Sequence, residues 1–536
     1  LRMVVERELE RLAHVASVYR GVEVELGAAP GFTARLVSVA GDRIAVGKDF
    51  SSSGELTGSA FVPSVASLDD VVAGLLNGSR PVVVAGVSSR KATRSPMAPF
   101  TMSTLFQEAG NRLGMTTAEA RVVSQQLFDK GLITYPRTDV AVHEPESRRA
   151  IRSEVARRFG AGLVSPIERF TSAKGKRVQG AHEAIRPTDV SVDDVSGSVS
   201  PREAAMYAMV WQRTIASQMI DATGFTTTLR LVARDCEFSA AGTVYSELGY
   251  RLVWSSGSGA DTAVPAVGEG EVLPVVAAKV TEHETQPPAR FTEASLVAKM
   301  EELGIGRPST YAATIAKLRD RSVFVRRGER ALIPRVTALA VHRLLTLGFA
   351  DLVDYGFTAD MEERLDAIAL GSATREDVLS AFWFGEGGAP GLSDFVGVAL
   401  EEIEAREMVC LKVGVHPVSG DEIVVRPGKL FKGVGRPYVQ CGERNLSIPE
   451  ETPLADLGLD RVVRLLDSSW PRELGVHPDT GAPVTVSFGR FGGYVRCGDE
   501  TRSLRSDGDL FDIDLDGALA LLAEPKSEKR SGRRRV

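Results

Sequence analysis

No apolar run in the sequence approaches the ~18 residues needed to span a bilayer, so a soluble protein is expected. Cysteine is scarce: Cys236, Cys410, Cys441 and Cys497 are the only four in 536 residues, and none forms a Cys-x-x-Cys pair. A zinc ribbon needs thiolate or imidazole ligands gathered by short spacings, so no zinc is expected. Thiols this sparse suit a reducing cytoplasm. There is no G-x-x-x-x-G-K-[ST] loop, which removes the usual cradle for ATP. Overall positive charge is also missing. A net charge of −6 neither points to a nucleic-acid partner nor excludes one, because binding depends on where the cations sit. Finally, there is neither an initiator Met nor a signal peptide. Leu1-Arg2-Met3-Val4-Val5 runs straight into Glu6, Arg7, Glu8 and Glu10, which reads as a helix joined midway in a chain truncated at its start.

What is present is ordinary globular material, 43% hydrophobic and 25% charged, in a chain too long for one core. Residues 1–20 read as the end of a helical segment. Residues 21–95 alternate in short β-like runs such as Val22-Glu23-Val24-Glu25-Leu26. Residues 96–220 change to helical spacing, with helices expected in TMSTLFQEAGNRLG and in TTAEARVVSQQLFDKG, the second ending at Gly131. Residues 221–287 return to β, so the helical block reads as an insertion within one β-rich domain. Residues 288–405 are helical again. The fold class is therefore multidomain α/β of the α+β kind.

The C-terminal region repeats itself. Gly414-Val415-His416-Pro417 recurs as Gly475-Val476-His477-Pro478, and each copy runs through an aromatic strand to a Leu-rich helix. Two small β-rich modules are expected, at 406–470 and 471–525. Their aromatics lie beside Lys429, Lys432, Arg436, Arg490 and Arg496. They suit stacking on single-stranded DNA, or they are simply core. Residues 526–536 carry Lys526, Lys529, Arg530, Arg533, Arg534 and Arg535 against Glu528. This reads as a disordered basic arm, contacting phosphate or merely solubilising. Asp512, Asp514 and Asp516 could suggest Mg²⁺, but acids at a helix start are favoured by the dipole alone, and no metal is expected there.

The most informative stretch is Gly131-Leu132-Ile133-Thr134-Tyr135-Pro136-Arg137-Thr138-Asp139. If it is extended, Tyr135 and Arg137 point to the same side. Pro136 cannot donate to a ladder, which places them on an edge or a loop. A phenol, with an ordinary pKa of ~10, must lose its proton to attack phosphorus, and a guanidinium can hold the phosphate while charge grows on it. On residue types alone, a buried structural tyrosine is the favoured reading.

Context decides between them. Ser95-Pro96-Met97-Ala98-Pro99-Phe100-Thr101 comes before this stretch. Ala181-His182-Glu183-Ala184-Ile185-Arg186-Pro187-Thr188 follows it, as do Leu303-Gly304-Ile305-Gly306-Arg307-Pro308-Ser309-Thr310-Tyr311-Ala312, Asp320-Arg321 and Phe357-Thr358-Ala359-Asp360-Met361-Glu362. In this order the strings resemble the type IA DNA topoisomerases, bacterial topoisomerase I in particular, over most of residues 1–405. The C-terminal repeats resemble those of actinobacterial members, which lack zinc fingers.

The resemblance implies a toroidal core, in which a β-rich arch and helical domains surround a hole that admits DNA. Tyr135 matches the nucleophile that becomes joined to the 5′ end of a cut strand. The implied activity is ATP-independent relaxation of negative supercoils by single-strand cleavage, strand passage and religation. Arg137 matches the residue that positions the scissile phosphate. His182 matches a histidine near the reacting groups, although it also suits a structural cap before Arg186-Pro187. Arg186, Arg307, Ser309, Thr310 and Arg321 fall at DNA-binding positions, with glycines 304 and 306 leaving room for phosphate. Ser309 could equally cap a helix. A cytoplasmic, nucleoid-associated monomer is implied.

Three departures stand out. Val140 replaces a common serine, Pro136 replaces a common methionine, and the Gly-Arg-Val-Gln-Ser-type string before the first helix is missing. No Toprim segment with its Glu and D-x-D-x-E cluster precedes Tyr135, so the Mg²⁺ of the family is expected to be held outside this chain, in an upstream Toprim fragment. The alternative is a fragment that binds single-stranded DNA without cutting it. A tyrosine recombinase would need its nucleophile late in the chain. A rolling-circle nuclease would need a histidine pair, and His143 and His182 stand alone.

Overall fold

The computed structural model of the chain describes residues 1–28, 31–170, 183–255, 263–326, 328–387, 390–402, 410–428, 437–449, 451–489, 492–504 and 509–524. The chain divides into two compact units, Ala13–Ile315 and a second made of Leu1–Leu12 with Ala316–Val536. Among the described residues, no helix is long and apolar enough to cross a membrane.

The Ala13–Ile315 unit is built on one antiparallel sheet. Its strands are β1 (Val18–Leu26), β2 (Phe32–Val39), β3 (Asp42–Arg43), β4 (Val82–Arg94), β5 (Ala222–Ala233), β6 (Cys236–Glu247), β7 (Val272–Leu273) and β8 (Val275–Glu284). Their order is β7-β4-β5-β6-β2-β1-β8, with β3 beside β2. Alternation sets the register: Phe32, Ala34 and Leu36 of β2 are buried on one face, with Leu229 and Leu231 of β5 and Phe238 of β6.

That face is covered by a helix in a region read as short β-like runs. It lies within Val65–Leu76, where Ser64 caps the first turn by accepting from Ser67 N at 3.2 Å. Leu68, Val71 and Leu75, spaced three and four apart, point into the sheet and are at most 2% exposed. A short helix of period 3.6 inside a β-rich stretch was masked by its neighbours' alternation.

β4 and β5 pair along their length and end together at Arg94↔Ala222. Between them lie most of the helices of a second hydrophobic core. With α1 (Arg2–Ala13) and α2 (Val65–Leu76) preceding them in the chain, these are α3 (Met102–Leu113), α4 (Thr117–Asp129), α5 (Pro145–Phe159) and α6 (Pro201–Ser217). Three of these starts carry a side-chain cap. Thr101 caps α3, Thr116 with Glu119 boxes α4, and Ser200 with Glu203 boxes α6 behind Pro201. Beyond the sheet, α7 (Glu293–Glu302) packs on α3, and Ala312 from α8 (Pro308–Arg321) enters the same core.

The second unit holds β9 (Val323–Phe324), β10 (Ile333–Pro334), α9 (Val336–Gly348), α10 (Tyr355–Ala369), α11 (Arg375–Phe384) and α12 (Leu392–Glu402). In it Val5 of α1 packs with Ala338 and Leu339 of α9. Helix α7 and the first half of α8, by contrast, belong to the Ala13–Ile315 unit, where Ala312 enters the helical core.

The repeat is real in three dimensions. Strands β11 (Leu411–Val415), β12 (Glu422–Arg426), β13 (Tyr438–Cys441) and β14 (Arg444–Ser447) form a meander closed by α13 (Leu459–Asp467). Strands β15 (Arg472–Val476), β16 (Pro483–Gly489), β17 (Gly492–Cys497) and β18 (Glu500–Ser503) form a second, followed by α14 (Asp509–Asp512) and α15 (Leu515–Ala523). Both meanders slip register at the same place, Lys412/Gly414 and Glu473/Gly475. A Cβ on either glycine would come within 3 Å of a leucine, Leu459 in the first copy and Leu515 in the second. The glycines are thus where the first leucine of each closing helix lands.

Tyr438 and Tyr494 are half-buried, while residues 429, 432, 436 and 490 lie outside the described residues, as does the basic tail 526–536. Cys236, Cys410 and Cys441 are buried thiols and Cys497 is half-buried. His416 is buried as a turn cap, its Nδ1 accepting from Val418 N and Ser419 N. Asp514 caps α15 by accepting from Gly517 N at 2.9 Å.

Candidate active site around Tyr135

Three sequence strings far apart in the chain are stitched together at one place. Ile133 bridges Pro187. Thr134 N donates to Arg186 O at 2.9 Å, and Thr134 Oγ1, which accepts from Arg186 N, donates to Ala184 O. Thr188 N and Oγ1 donate to Leu132 O and Gly131 O at 3.1 and 2.7 Å. On its other flank the 184–188 segment is tied to Phe100 O through Ile185 N, and to Val142 O through Ala184 N, each at 2.8 Å. Thr138 O accepts from Met102 N, the first residue of α3. The ladder ends at Thr134, as Pro136 requires, and the next residues form a loop fixed at both ends.

On that loop, burial alternates. Ile133, Pro136, Thr138 and Val140 turn inward, while Tyr135 and Arg137 are exposed. The departures Pro136 and Val140 are therefore packing residues. Both exposed side chains are held by α4. The Tyr135 ring, 37% exposed, stands edge-on to Phe128 with centroids 5.5 Å apart. Arg137 Nη2 donates to Gln125 Oε1 at 3.2 Å, and Gln125 in turn donates to Asp129. Gln125 and Phe128 are three residues apart, hence on one helix face. Sequence reasoning missed both. The available signal was an amide and an aromatic at helical spacing, one turn before Gly131.

The remaining expected site residues are placed as follows. His182 lies outside the described residues. Arg186 is turned inward: its Nη2 and Nε donate to Glu183 at 2.7 and 3.0 Å, and its Nη1 to the carbonyls of Pro187 and Thr188. In this conformation it offers DNA little.

Gly304 and Gly306 both have positive φ, +69° and +79°, and a Cβ on Gly306 would press on Thr310 and Tyr311. The glycines are demanded by the turn itself. Thr310 spends its hydroxyl on closing that turn, accepting from Arg307 N at 2.9 Å and donating to Arg307 O at 3.1 Å. Ser309 is exposed and makes no side-chain hydrogen bond among the described residues. Arg307 Nη1 donates to Gly306 O at 3.1 Å. Arg321, exposed at the end of α8, falls in the second unit, whereas Arg307, Ser309 and Thr310 fall in the first.

Two buried groups near the loop were not expected. His143 is 0% exposed, with no hydrogen-bond partner for either ring nitrogen, and its pKa is pushed down to about 3 by burial and then by the Arg186 and Arg148 guanidiniums. It is a neutral imidazole. Arg213 of α6 is 5% exposed and donates through Nε to Ala98 O at 2.7 Å. Its guanidinium lies within 5 Å of the centroids of Phe100 and Trp254, and burial lowers its pKa to about 10. It thereby fixes the segment before α3 whose Phe100 O holds Ile185.

Comparison with known proteins places this arrangement. The family model described as DNA topoisomerase matches residues 1–380, and one described as topoisomerase C-terminal repeat matches residues 477–533. The chain belongs to the bacterial type I DNA topoisomerases. It is 33% identical to DNA topoisomerase 1 of Mycobacterium tuberculosis over 99% of this chain and 69% of that protein. It is 34% identical to DNA topoisomerase 1 of Synechocystis over 99% and 67%. Among solved topoisomerase structures, full-length topoisomerase I from Thermotoga maritima superposes with a TM-score of 0.64 at 26% identity, covering 84% of this chain and 70% of that one. The expected type IA α+β fold, with small antiparallel C-terminal sheets, is thus the fold observed.

Proposed function

We propose that this topoisomerase chain relaxes negatively supercoiled DNA without ATP, with Tyr135 as its nucleophile. Tyr135 Oη attacks a phosphorus of one strand. The P–O3′ bond breaks as the P–Oη bond forms, the 3′-oxygen leaves as a hydroxyl with the proton given up by the phenol, and the 5′ end stays on the tyrosine. Reversal by the waiting 3′-hydroxyl exchanges one phosphodiester for another, so no external energy is consumed. Arg137 holds the phosphate and offsets charge on its oxygens.

The observation that carries this reading is the pairing of an exposed Tyr135 with an exposed Arg137, both steadied from one helix face on a loop pinned at each end. Arg307, Ser309 and Thr310 of one unit, and independently Arg321 of the other, are assigned to contacts with single-stranded DNA, in a monomer acting on nucleoid DNA in the cytoplasm. Among the described residues, no group of three His, Cys, Asp or Glu side chains is placed to hold a metal ion. Near the loop Glu183 is committed to Arg186. These side chains do not fit the Mg²⁺ of the family, and no step is assigned to it.

The test is to incubate the chain, supplied with an upstream Toprim fragment, with a labelled single-stranded oligonucleotide and Mg²⁺ and look for a denaturant-stable adduct. An adduct that disappears in Tyr135→Phe is the expected result. An adduct that survives that substitution removes Tyr135 as nucleophile. Binding with no adduct leaves a chain that recognises DNA without cutting it.

A further inference from the structure

Helix α7 touches the N-termini of both helices that organise the Tyr135 loop, and it does so with carboxylates. Glu301, in its last turn, accepts from Ser103 Oγ at 2.6 Å, and Ser103 also accepts from Gln107 Nε2. Ser103 is the second residue of α3 and is 1% exposed. Glu293, at the other end of α7, accepts from Thr117 N at 2.6 Å. Thr117 is the first residue of α4, and its N–H is one of the donors that a helix cannot satisfy internally. A negative side chain at a helix start is favoured by the dipole, so each contact is charge-assisted. The two helices approach closely, because a Cβ on Gly110 of α3 would sit 3.4 Å from that of Ala294. Directly after Glu302 comes the loop 303–307, pinned back to α7 by Gly304 N donating to Glu301 O and Ile305 N to Met300 O.

We propose that Glu301 and Glu293 are positioning residues that couple the loop 303–307 to Tyr135 and Arg137. A displacement of that loop moves α7 and, through the two carboxylates, the first turns of α3 and α4. α3 holds Thr138 O through Met102 N, and α4 holds Tyr135 and Arg137 through Phe128 and Gln125. The coupling extends the proposed role of that loop in holding DNA. It does not depend on Tyr135 being the nucleophile.

The test needs no cleavage. A fluorescein-labelled single-stranded oligonucleotide is added to the full chain in EDTA, and amide exchange is followed in peptides covering 117–129 and 131–142. In the wild type and in Glu301→Gln, which keeps an acceptor oxygen for Ser103, the oligonucleotide is expected to slow exchange at least about threefold. In Glu301→Ala and Ser103→Ala that slowing is expected to vanish, with affinity within about twofold and sheet exchange unchanged. A wild type that does not bind, or binds without slowing, overturns the coupling. So does a Glu301→Ala chain that keeps the slowing. A covalent adduct that survives Tyr135→Phe in the separate Mg²⁺ assay would remove the nucleophile and leave this coupling standing.

Discussion

The Arg137 guanidinium donates to Gln125 Oε1 across 3.2 Å, which ties the proposed phosphate-holding group to the same helix that supports the Tyr135 ring. The bond uses one Nη2 hydrogen, so the remaining donors of an exposed guanidinium still face solvent. Gln125 fixes direction without consuming the group.

Gln125→Ala is expected to lower the rate of covalent adduct formation about tenfold, equivalent to about 1.4 kcal/mol in the barrier. Oligonucleotide affinity should stay within about twofold, and the melting temperature should barely move because the pair is exposed. Single-turnover kinetics with a labelled oligonucleotide measures the first effect. An unchanged rate would show that Arg137 finds the phosphate unaided.

Arg186 and Glu183 make opposite predictions for DNA binding. With the guanidinium held by Glu183 and two carbonyls, Arg186→Ala should weaken single-strand binding by less than about twofold, while lowering stability by about 2 kcal/mol or more by stranding Glu183. Glu183→Ala should release the cation and steepen the salt dependence of binding by about one phosphate contact. Titrations at several salt concentrations decide. A strong binding defect in Arg186→Ala would mean the ion pair opens on DNA.

His143 should make the fold acid-sensitive. Its folded pKa lies near 3 and its unfolded value near 6.5, so between these values the unfolded chain binds the extra proton. Stability therefore falls as pH drops through this window, by about 1.4 kcal/mol per unit for this group. His143→Leu, which removes two unpartnered buried nitrogens, should flatten that slope between pH 6.5 and 4 in chemical denaturation. An unaltered slope would place the acid sensitivity elsewhere.

Glu203 acts in a lower window. Its carboxylate accepts from Lys130 Nζ at 2.6 Å and from Ser200 N at 2.9 Å, contacts that hold its pKa down at about 2. A depressed carboxylate stabilises the fold above its unfolded pKa of ~4.5, and the contribution is lost as pH falls toward 2. Glu203→Gln should be less stable than wild type at pH 6, and the difference should shrink steadily below pH 4.5. Thermal melts at several pH values measure it.

Much of the architecture was legible because its signals are local. The helix start at Thr116 and the β-α-β change of period announce themselves along the chain. The repeated Gly-Val-His-Pro is equally plain, and the shared bulge and buried His416 explain why it repeats. The helix over Val65–Leu76 was hidden because twelve residues between strands carry only three inward apolar positions. The site was half legible. Tyr135 and Arg137 stand out as an exposed pair around a proline, but their supports at Gln125 and Phe128 require the turn at Gly131 to fold back onto α4. The inward turn of Arg186 depends on Glu183, three residues away on a segment with no helical period. Nothing in a string of letters distinguishes a guanidinium facing DNA from one facing a neighbouring carboxylate.

The pairing of Arg94 with Ala222 has a kinetic consequence. β4 and β5 are adjacent strands whose partners are separated in the chain by the entire helical block, so their zipper cannot nucleate as an ordinary hairpin does. The entropy of closing so long a loop must be met first, and packing of α3, α4 and α6 brings its two ends to one point. The helices that carry Tyr135 are therefore expected to consolidate before the sheet that carries them. Pulse-labelling during refolding should show amides of α6 protected ahead of those in β5. The inserted part would then act as the template, and the surrounding β-structure as the piece that assembles onto it.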